Sequence, residues 1–228
     1  MGAKDSIEGL CRRVAHCNVQ RLPEARDVLN EDIEARIEQH FVEGVELRSR
    51  LAKSLSPAIA RAAQVAAQSL ASGGKILACG NGGSAADSQH FAAEMICRLE
   101  RERRALPAIA LTTDTSALTA TANDYDFKYV FSRQVEGLGR AGDVLVAIST
   151  SGNSKNVVEA IRAAHRADMA VIAFTGRDGG EMAAMLRGND VHLNVPHART
   201  MRVQEMHLTM LHILSDALEC LLPGDAAK

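Results

Sequence analysis

The chain has 228 residues, a length that fits one domain with appendages. Its formal net charge of −2 gives no basic field for nucleic acid, and no apolar run approaches the roughly 20 residues that span a bilayer. We therefore expect neither a direct nucleic-acid partner nor a membrane segment. Trp is absent and aromatic residues make up 3% of the chain, so the predicted core consists of aliphatic residues and Met.

The cysteines and the N-terminus bear on the cellular compartment. Five cysteines are scattered along the chain without a CxxC pair: Cys11, Cys17, Cys79, Cys97 and Cys220. This odd number favours reduced thiols over a disulfide framework or a cysteine zinc site. The N-terminus also lacks the basic segment and apolar core of a secretory signal. We expect a cytoplasmic protein.

The N-terminal part of the chain is predicted to be helical after a polar start. Residues 1–31 hold no strong pattern and are interpreted as an N-terminal extension, followed by one domain over residues 32–228. Residues 31–72 follow a helical pattern, and apolar residues recur every four positions at Ile33, Ile37, Phe41 and Val45. Ser56 and Pro57 predict the N-cap and first residue of a second helix, which Gly73 and Gly74 end.

From residue 75 onward, apolar stretches alternate with helical patterns. The predicted strands are Ile76–Cys79, Ala108–Thr112, Asp143–Ser149, Met169–Thr175 and Asp190–Val195. The predicted helices are Ser84–Arg98, Ser116–Asn123, Phe131–Leu138, Lys155–Ala167, 180–186 and Arg202–Leu222. This alternation indicates βαβ units, and hence an α/β fold with a parallel sheet covered by helices on both faces. Ligands of such folds bind at the carboxyl ends of the strands.

The stretch KILACGNGGSAADSQHFAAE (75–94) joins the first strand to its helix through a glycine-rich turn, Gly80–Ser84. Glycines let the backbone approach a ligand closely, and the helix N-terminus is a potential anion site. The turn matches neither GxGxxG nor GxxxxGK[ST], so a dinucleotide or ATP site is poorly supported. His90 and Glu94, at i and i+4, are either an acid/base or metal pair or an ordinary surface pair.

A second small-residue loop, STSGNS (149–154), follows the third predicted strand. Its hydroxyls and the next helix N-terminus can bind a phosphate monoester without a basic side chain. The alternative is an N-cap with spare hydroxyls. Because one Ser is enough for a cap, the density of hydroxyls favours phosphate binding.

The last predicted helix adds further polar side chains. Gln204 and His212 are eight residues apart and therefore share a side of the helix. Glu205 and His207 point elsewhere and are expected to be structural or exposed. Non-site roles are also expected for three other histidines: His165, His192 and His197.

Taken together, the motifs CGNGGSAADSQHFAAE, LTTD, ANDY, ISTSGNS, TGRDGG and RVQEMHLTMLH resemble the SIS (sugar isomerase) family, and within it the phosphoheptose isomerases. The resemblance covers residues 32–222. It implies a three-layer α-β-α sandwich with a central five-stranded parallel sheet and N-terminal helices. It also implies conversion of sedoheptulose 7-phosphate to D-glycero-D-manno-heptose 7-phosphate for lipopolysaccharide, by a homotetramer with sites at subunit interfaces.

The resemblance also assigns roles to particular residues. It implies that the phosphate end of the substrate is bound by Ser84, Ser149, Thr150, Ser151 and Ser154. It implies that the rest of the substrate is contacted by Asn81, Gly82, Gly83, Asp124 and Gln204. The acid/base residues are then Glu94 and His212. In zinc-binding members the ligands of one ion per subunit correspond to His90, Glu94, Gln204 and His212.

The implied chemistry suits these residue types. An aldose–ketose shift needs a base over C1–C2, and a carboxylate such as Glu94 can serve. His212 can exchange protons near neutral pH. Two imidazoles, a carboxylate and an amide oxygen suit tetrahedral zinc, although Gln is an uncommon ligand.

Two other functions remain open from the sequence. A non-catalytic SIS relative forms the same tetramer and binds the DnaA replication initiator, but it is expected to lack one or both counterparts of Glu94 and His212. A third possibility is an SIS module that binds a phosphosugar as a regulatory ligand. This chain also has Met201 where some isomerases carry an acidic residue, which removes one possible contact to a substrate hydroxyl.

Overall fold

The computed structural model describes residues 25–222, with side chains from residue 33 onward. Residues 1–24 of the predicted extension lie outside the described residues. The chain divides into two compact units, one up to Val45 and one from Glu46 onward. The domain boundary predicted at residue 31 stays a prediction.

The described elements alternate as the sequence predicts, with boundaries that differ by at most two residues from Ile76 onward. The helices are α1 (Ala25–Ala71), α2 (Gly83–Ile96), α3 (Thr115–Asp124), α4 (Ser132–Leu138), α5 (Lys155–Arg166), α6 (Gly180–Met185) and α7 (Thr200–Leu221), with a 3₁₀ turn at Phe127–Tyr129. The strands are β1 (Ile76–Gly80), β2 (Ala108–Ala110), β3 (Val144–Ser149), β4 (Ala170–Gly176) and β5 (Val191–Val195). Among the described helices, none combines the length and apolar character that a bilayer span requires.

The strands form one parallel sheet in the order β2-β1-β3-β4-β5. Alternate residues of each inner strand enter different apolar cores, as for Ile76 and Leu77 in β1. One core packs residues of α1 from Leu47 onward, α2 and α7 against the sheet, and the other packs α4, α5 and α6. The predicted three-layer sandwich is confirmed.

The strand order places a crevice beside β1 and β3. After β1 the chain moves outward to β2, whereas β3 begins the run toward β5 on the other side. The helix after β1 packs on one face of the sheet and the helix after β3 on the other. Open α/β sheets bind ligands at this kind of switch point, at the carboxyl ends of the strands. Both small-residue loops of the sequence lie there.

The helix break predicted at Pro57 is wrong, because α1 is continuous through this residue. Ser56 does not act as an N-cap; its hydroxyl donates to the Ala52 carbonyl at 2.6 Å. Pro57 leaves the Lys53 carbonyl without its helical donor, but both residues are exposed, so water can replace it. Leu55 and Ile59 are buried on either side and hold the helix to the core.

The described part of the first unit carries an uncovered apolar face. Phe41 is 75% exposed, and the other large apolar residues of this segment are also exposed: Ile33, Ile37, Val42 and Val45. The four-residue spacing predicted from the sequence therefore forms a stripe that is exposed in the part of the chain that the structure describes. Contiguous exposed apolar surface commonly marks a contact with another molecule.

His207 fastens α7 to the sheet. The ring is fully buried, and its Nε2 donates to the Thr175 carbonyl at the end of β4, at 2.9 Å. Its Nδ1 has no partner among the described residues, so the ring is neutral with the proton on Nε2. Burial lowers the pKa of His207 to about 4, although the bond to Thr175 acts in the opposite direction. The structural role expected for this residue agrees with its position.

The buried neutral ring predicts an acid-sensitive contribution to stability. Unfolded His207 binds a proton below about pH 6.5, whereas the folded ring resists it until about pH 4. Stability from this group is therefore complete above pH 6.5 and falls as the pH drops toward 4, by about 3 kcal/mol in all. His207→Gln keeps a donor for Thr175 but does not titrate. Denaturant unfolding at several pH values should show a shallower loss for this variant, and equal slopes would contradict the prediction.

Candidate active site

Two imidazoles and a carboxylate meet where α2 and α7 pack together. His90 Nε2 lies 2.9 Å from Glu94 Oε1, His212 Nε2 lies 3.4 Å from the same oxygen, and the two Nε2 atoms are 3.4 Å apart. The Glu94 side chain is only 8% exposed, whereas the His90 and His212 side chains are 47% and 42% exposed. The cluster is therefore a buried carboxylate beneath two accessible rings.

The two helices run in the same direction, which sets the pairing along them. Near its start α7 brings Gln204 against Gly83, where a Cβ would collide with the Gln204 amide. Two turns further on, His212 meets His90 and Glu94. Gln204 and His212 thus share a side of α7, as their spacing predicts, and the structure shows that this side faces α2. Because α7 of the same chain supplies His212, the cluster does not need a neighbouring subunit for it.

Ser215 orients Glu94, a contact that the sequence interpretation missed. Its fully buried hydroxyl donates to Glu94 Oε2 at 2.7 Å. A hydrogen bond to an ionised carboxylate is among the stronger ones in proteins. With Oε2 held, Oε1 faces the two histidines. Ser215 lies three residues after His212, a spacing that could have indicated a shared helix face.

Asp87 is a second residue that sequence reasoning missed. It precedes His90 by one turn of α2, and its Oδ2 is buried without a partner among the described residues. Burial raises the pKa of the Asp87 carboxyl, while positive charge on His90 and His212 acts to lower it. Asp87 therefore presents a free acceptor next to the cluster.

The serine hydroxyls of residues 149–154, the hydroxyl loop, bond to one another and do not cap α5. Ser154 is the N-cap residue of α5, but its side chain makes no capping bond. Instead its Oγ lies 2.9 Å from Ser149 Oγ, which is also 3.5 Å from Ser151 Oγ. The hydroxyls therefore converge at the start of α5 and leave the helix N-terminus open to an anion. Thr150 lies within the same loop and is partly exposed.

A reciprocal amide pair joins the two loops. Asn81 Nδ2 donates to Asn156 Oδ1, and Asn156 Nδ2 donates to Asn81 Oδ1, both at 2.8 Å. Asn81 follows β1 and Asn156 lies in the first turn of α5, so the pair spans the crevice beside β1 and β3. Gly82, with φ of 56°, makes the turn that leads into α2. Ser84 is buried in that first turn.

Backbone hydrogen bonds within the glycine-rich turn, Gly80–Ser84, limit it as an anion site. The backbone N–H groups of Ser84 and Ala85 already donate to the carbonyls of Asn81 and Gly82. The glycine turn therefore offers fewer free donors than its composition predicts.

Asp124 makes none of the contacts described for the two loops. Its exposed carboxylate accepts a hydrogen bond from Asn123 at 2.8 Å.

The donor set at the helix pair fits a metal ion. Ligand atoms of His90, Glu94 and His212 form the candidate metal group found among the described residues. Ligands around a tetrahedral zinc with bonds of about 2.0–2.1 Å are separated by about 3.3 Å. The observed separations of 2.9, 3.4 and 3.4 Å are close to that value.

Comparison with known proteins gives consistent matches. The SIS domain model matches residues 39–176. The phosphoheptose isomerase of Neisseria gonorrhoeae (strain NCCP11945) is 58% identical over 83% of this chain and 96% of its own length. That of Methylibium petroleiphilum is 54% identical over 85% of this chain and 96% of its own length. The solved structure of phosphoheptose isomerase GmhA from Neisseria gonorrhoeae aligns with a TM-score of 0.79 and 56% identity, over 82% of this chain and 99% of that one.

The amide pair can be tested through stability. Asn156→Asp removes the donor to Asn81 and brings a carboxylate against the Asn81 carbonyl oxygen in a buried position. We expect the free energy of unfolding to fall by about 2 kcal/mol, as measured by chemical denaturation. The exposed Gln64→Glu on α1 introduces the same change of charge as a control. A loss no larger than that of the control would contradict the pairing.

Proposed function

The chain belongs to the SIS-domain family and, within it, to the phosphoheptose isomerases, and we propose that it interconverts sedoheptulose 7-phosphate and D-glycero-D-manno-heptose 7-phosphate. The observation that carries this proposal is the approach of Glu94 and His212 on α2 and α7. It combines a buried base with a proton-exchanging ring, on elements that start at the same edge of the sheet as the hydroxyl loop.

The hydroxyl loop and the amide pair are proposed to bind the substrate. Phosphate oxygens would accept from the hydroxyls of the loop and from the open N-terminus of α5. The phosphate ligands proposed here are Ser84, Ser149, Thr150, Ser151 and Ser154. The sugar contacts proposed are Asn81, Gly82, Gly83, Asp124 and Gln204. Anchoring at the phosphate end would place the carbonyl end toward α2 and α7.

Glu94 is proposed as the base that moves the proton between carbons. The reaction takes a proton from C1 of the ketose and returns one to C2, through an enediol. Because Ser215 donates to Oε2, the orientation of the carboxylate that would take and return this proton is fixed. His212 would exchange the hydroxyl protons, giving one to O2 as O1 loses one. Asp87 offers a further acceptor for a substrate hydroxyl. Met201, which stands where some isomerases carry an acidic residue, supplies no such acceptor.

Zinc is the proposed cofactor, held by His90, Glu94 and His212 with Gln204 as a fourth ligand. The ligand-atom separations of the first three residues support this choice. When bound, such an ion polarises a carbonyl oxygen and stabilises negative charge that develops on it.

The oligomeric state and the cellular location are proposed from different observations. The exposed apolar stripe around Phe41 supports a homotetramer, because association would cover it. The three described cysteines are unpaired, which supports a cytoplasmic location. The product is proposed to supply heptose for lipopolysaccharide.

The replication-initiator function has less support. The relatives named above at 54–58% identity are phosphoheptose isomerases. This chain also retains both residues expected to be incomplete in the non-catalytic relative, and the structure brings them together. An isomerase assay on the purified protein tests the choice. No turnover of sedoheptulose 7-phosphate, together with binding to the initiator, would favour the alternative.

The role of the base predicts a large kinetic effect of a small substitution. Glu94→Gln keeps the shape of the side chain but removes the base, so we expect kcat to fall by about 10²–10⁴-fold. Sedimentation velocity should give the same tetramer as the wild type. Glu136→Gln alters an exposed carboxylate on α4 and serves as the control. Wild-type turnover in Glu94→Gln would remove Glu94 from the mechanism.

The metal proposal predicts that activity and zinc content fall together. Chelator treatment should lower turnover, and added zinc should restore it. His212→Ala removes one imidazole of the cluster, so we expect zinc content, measured by atomic emission, to fall well below one per chain. The fully buried His207 on the same helix gives the control variant His207→Gln. Unchanged zinc content in His212→Ala would contradict the ligand set.

A further inference from the structure

A buried carboxylate of α7 holds the segment that follows α2. Glu219 is fully buried, and its side chain accepts three successive backbone N–H groups, from Leu99 at 2.8 Å, Glu100 at 3.2 Å and Arg101 at 2.9 Å. This segment lies between α2 and β2 and contains no helix or strand. Its path away from α2 is therefore fixed by a side chain of α7.

A buried guanidinium from the same segment caps α2. The Arg103 side chain is 2% exposed and donates to the carbonyls of Glu94 at 2.7 Å and Met95 at 2.9 Å. These carbonyls belong to the last turn of α2, where helical donors are missing and positive charge is favourable. The group that ends α2 thus bonds to the backbone of Glu94 itself.

The two buried side chains also form an ion pair. Arg103 Nε lies 3.4 Å from Glu219 Oε1. Burial acts to raise the pKa of the Glu219 carboxyl, but the three N–H donors and the Arg103 charge outweigh it, so the pKa lies below its ordinary value. Glu219 is therefore ionised at neutral pH. Buried ion pairs often stabilise a fold no better than apolar residues of the same size, so stability alone does not explain this pair.

One face of α7 carries the residues that approach Glu94 from this helix, directly or through Arg103. His212, Ser215 and Glu219 are spaced by three and four residues and lie in line along the helix. Ser215 holds Oε2 of the Glu94 side chain, and Glu219 holds its backbone through Arg103. These two attachments hold both the side chain and the backbone of Glu94 to α7.

We propose that the Arg103–Glu219 pair is a positioning device for the active site, which fixes the register of α2 on α7 and so keeps Glu94 at its distance from His212. The inference rests on the proposed function for its catalytic consequence. Neither residue contacts the ligand atoms of His90, Glu94 or His212 in the contacts described, since Arg103 reaches only the backbone carbonyl of Glu94. A loss of register would displace Glu94 Oε1 relative to both histidines. The hydroxyl loop lies between β3 and α5 and would not move.

The test compares Glu219→Gln with a matched control, Asp190→Asn. Glutamine places an NH₂ group among backbone donors and leaves the Arg103 charge unpaired. Asp190 is also a buried carboxylate: it accepts from Val171 N at 2.9 Å and Arg187 N at 2.7 Å, and it lies 2.7 Å from His165 Nε2. It sits at the amino ends of the strands, away from the cluster. Both variants should unfold at lower temperature than the wild type.

Only Glu219→Gln is expected to change the site. Below the unfolding temperature, kcat should fall at least tenfold while KM for sedoheptulose 7-phosphate stays within about threefold. The affinity of the apo-protein for zinc, measured by competition with a chromophoric chelator, should also fall at least tenfold. Asp190→Asn should keep wild-type kcat and zinc affinity. Arg103→Lys, which cannot reach both carbonyls in the same fork, should resemble Glu219→Gln and replaces it if that variant does not fold.

The outcomes separate the two proposals. Wild-type kcat and zinc affinity in Glu219→Gln, with stability lost to the same extent as in Asp190→Asn, would overturn the positioning role. Equal losses of kcat in both variants would do the same. If the wild type itself turns over no heptose phosphate, the proposed function fails, and the zinc affinities of the variants still decide the positioning role.

Discussion

The structure depends on the side-by-side packing of α2 and α7 on one face of the sheet. Each helix alone carries only part of a site: His90 and Glu94 on one, His212 on the other. Their shared direction matches residues in order along both helices, from Gly83 beside Gln204 to Glu94 beside Ser215. A parallel sheet produces this arrangement because each of these helices starts at the carboxyl end of a strand. The cluster is therefore a consequence of topology as much as of residue choice.

The sheet order divides the chemistry between two places that remain coupled. The hydroxyl loop leads into α5 on one face, and the glycine turn leads into α2 on the other. The amide pair of Asn81 and Asn156 bridges these loops through two partly buried hydrogen bonds, which a movement of one loop relative to the other would break. A substrate anchored at the loop would thus meet a base at a fixed distance, which is what proton transfer between adjacent carbons requires.

Much of this arrangement can be predicted from the sequence, and there are physical reasons why the rest cannot. Apolar runs of four to seven residues, broken by Gly and Ser, located each strand within two residues of its observed ends. Spacing alone placed Gln204 and His212 on one side of the last helix, but only the structure shows that this side faces α2. The helix break predicted at Pro57 was wrong because an exposed proline can lie inside a helix that flanking buried residues hold in place. Ser215, Asn156 and Glu219 were missed because their partners are distant in the chain, and a contact between distant residues leaves no local pattern.

The carboxylate of Glu94 and the rings of His90 and His212 differ in exposure, and therefore in the roles they can take. Glu94 is enclosed by α7 and keeps only Oε1 toward the histidines, so its orientation is set before any ligand arrives. The rings of His90 and His212 are nearly half exposed, and so remain accessible to a substrate or an ion. A base that is fixed in advance loses little orientational freedom when it reacts. Accessible rings, in contrast, leave one side of the site open in a single chain.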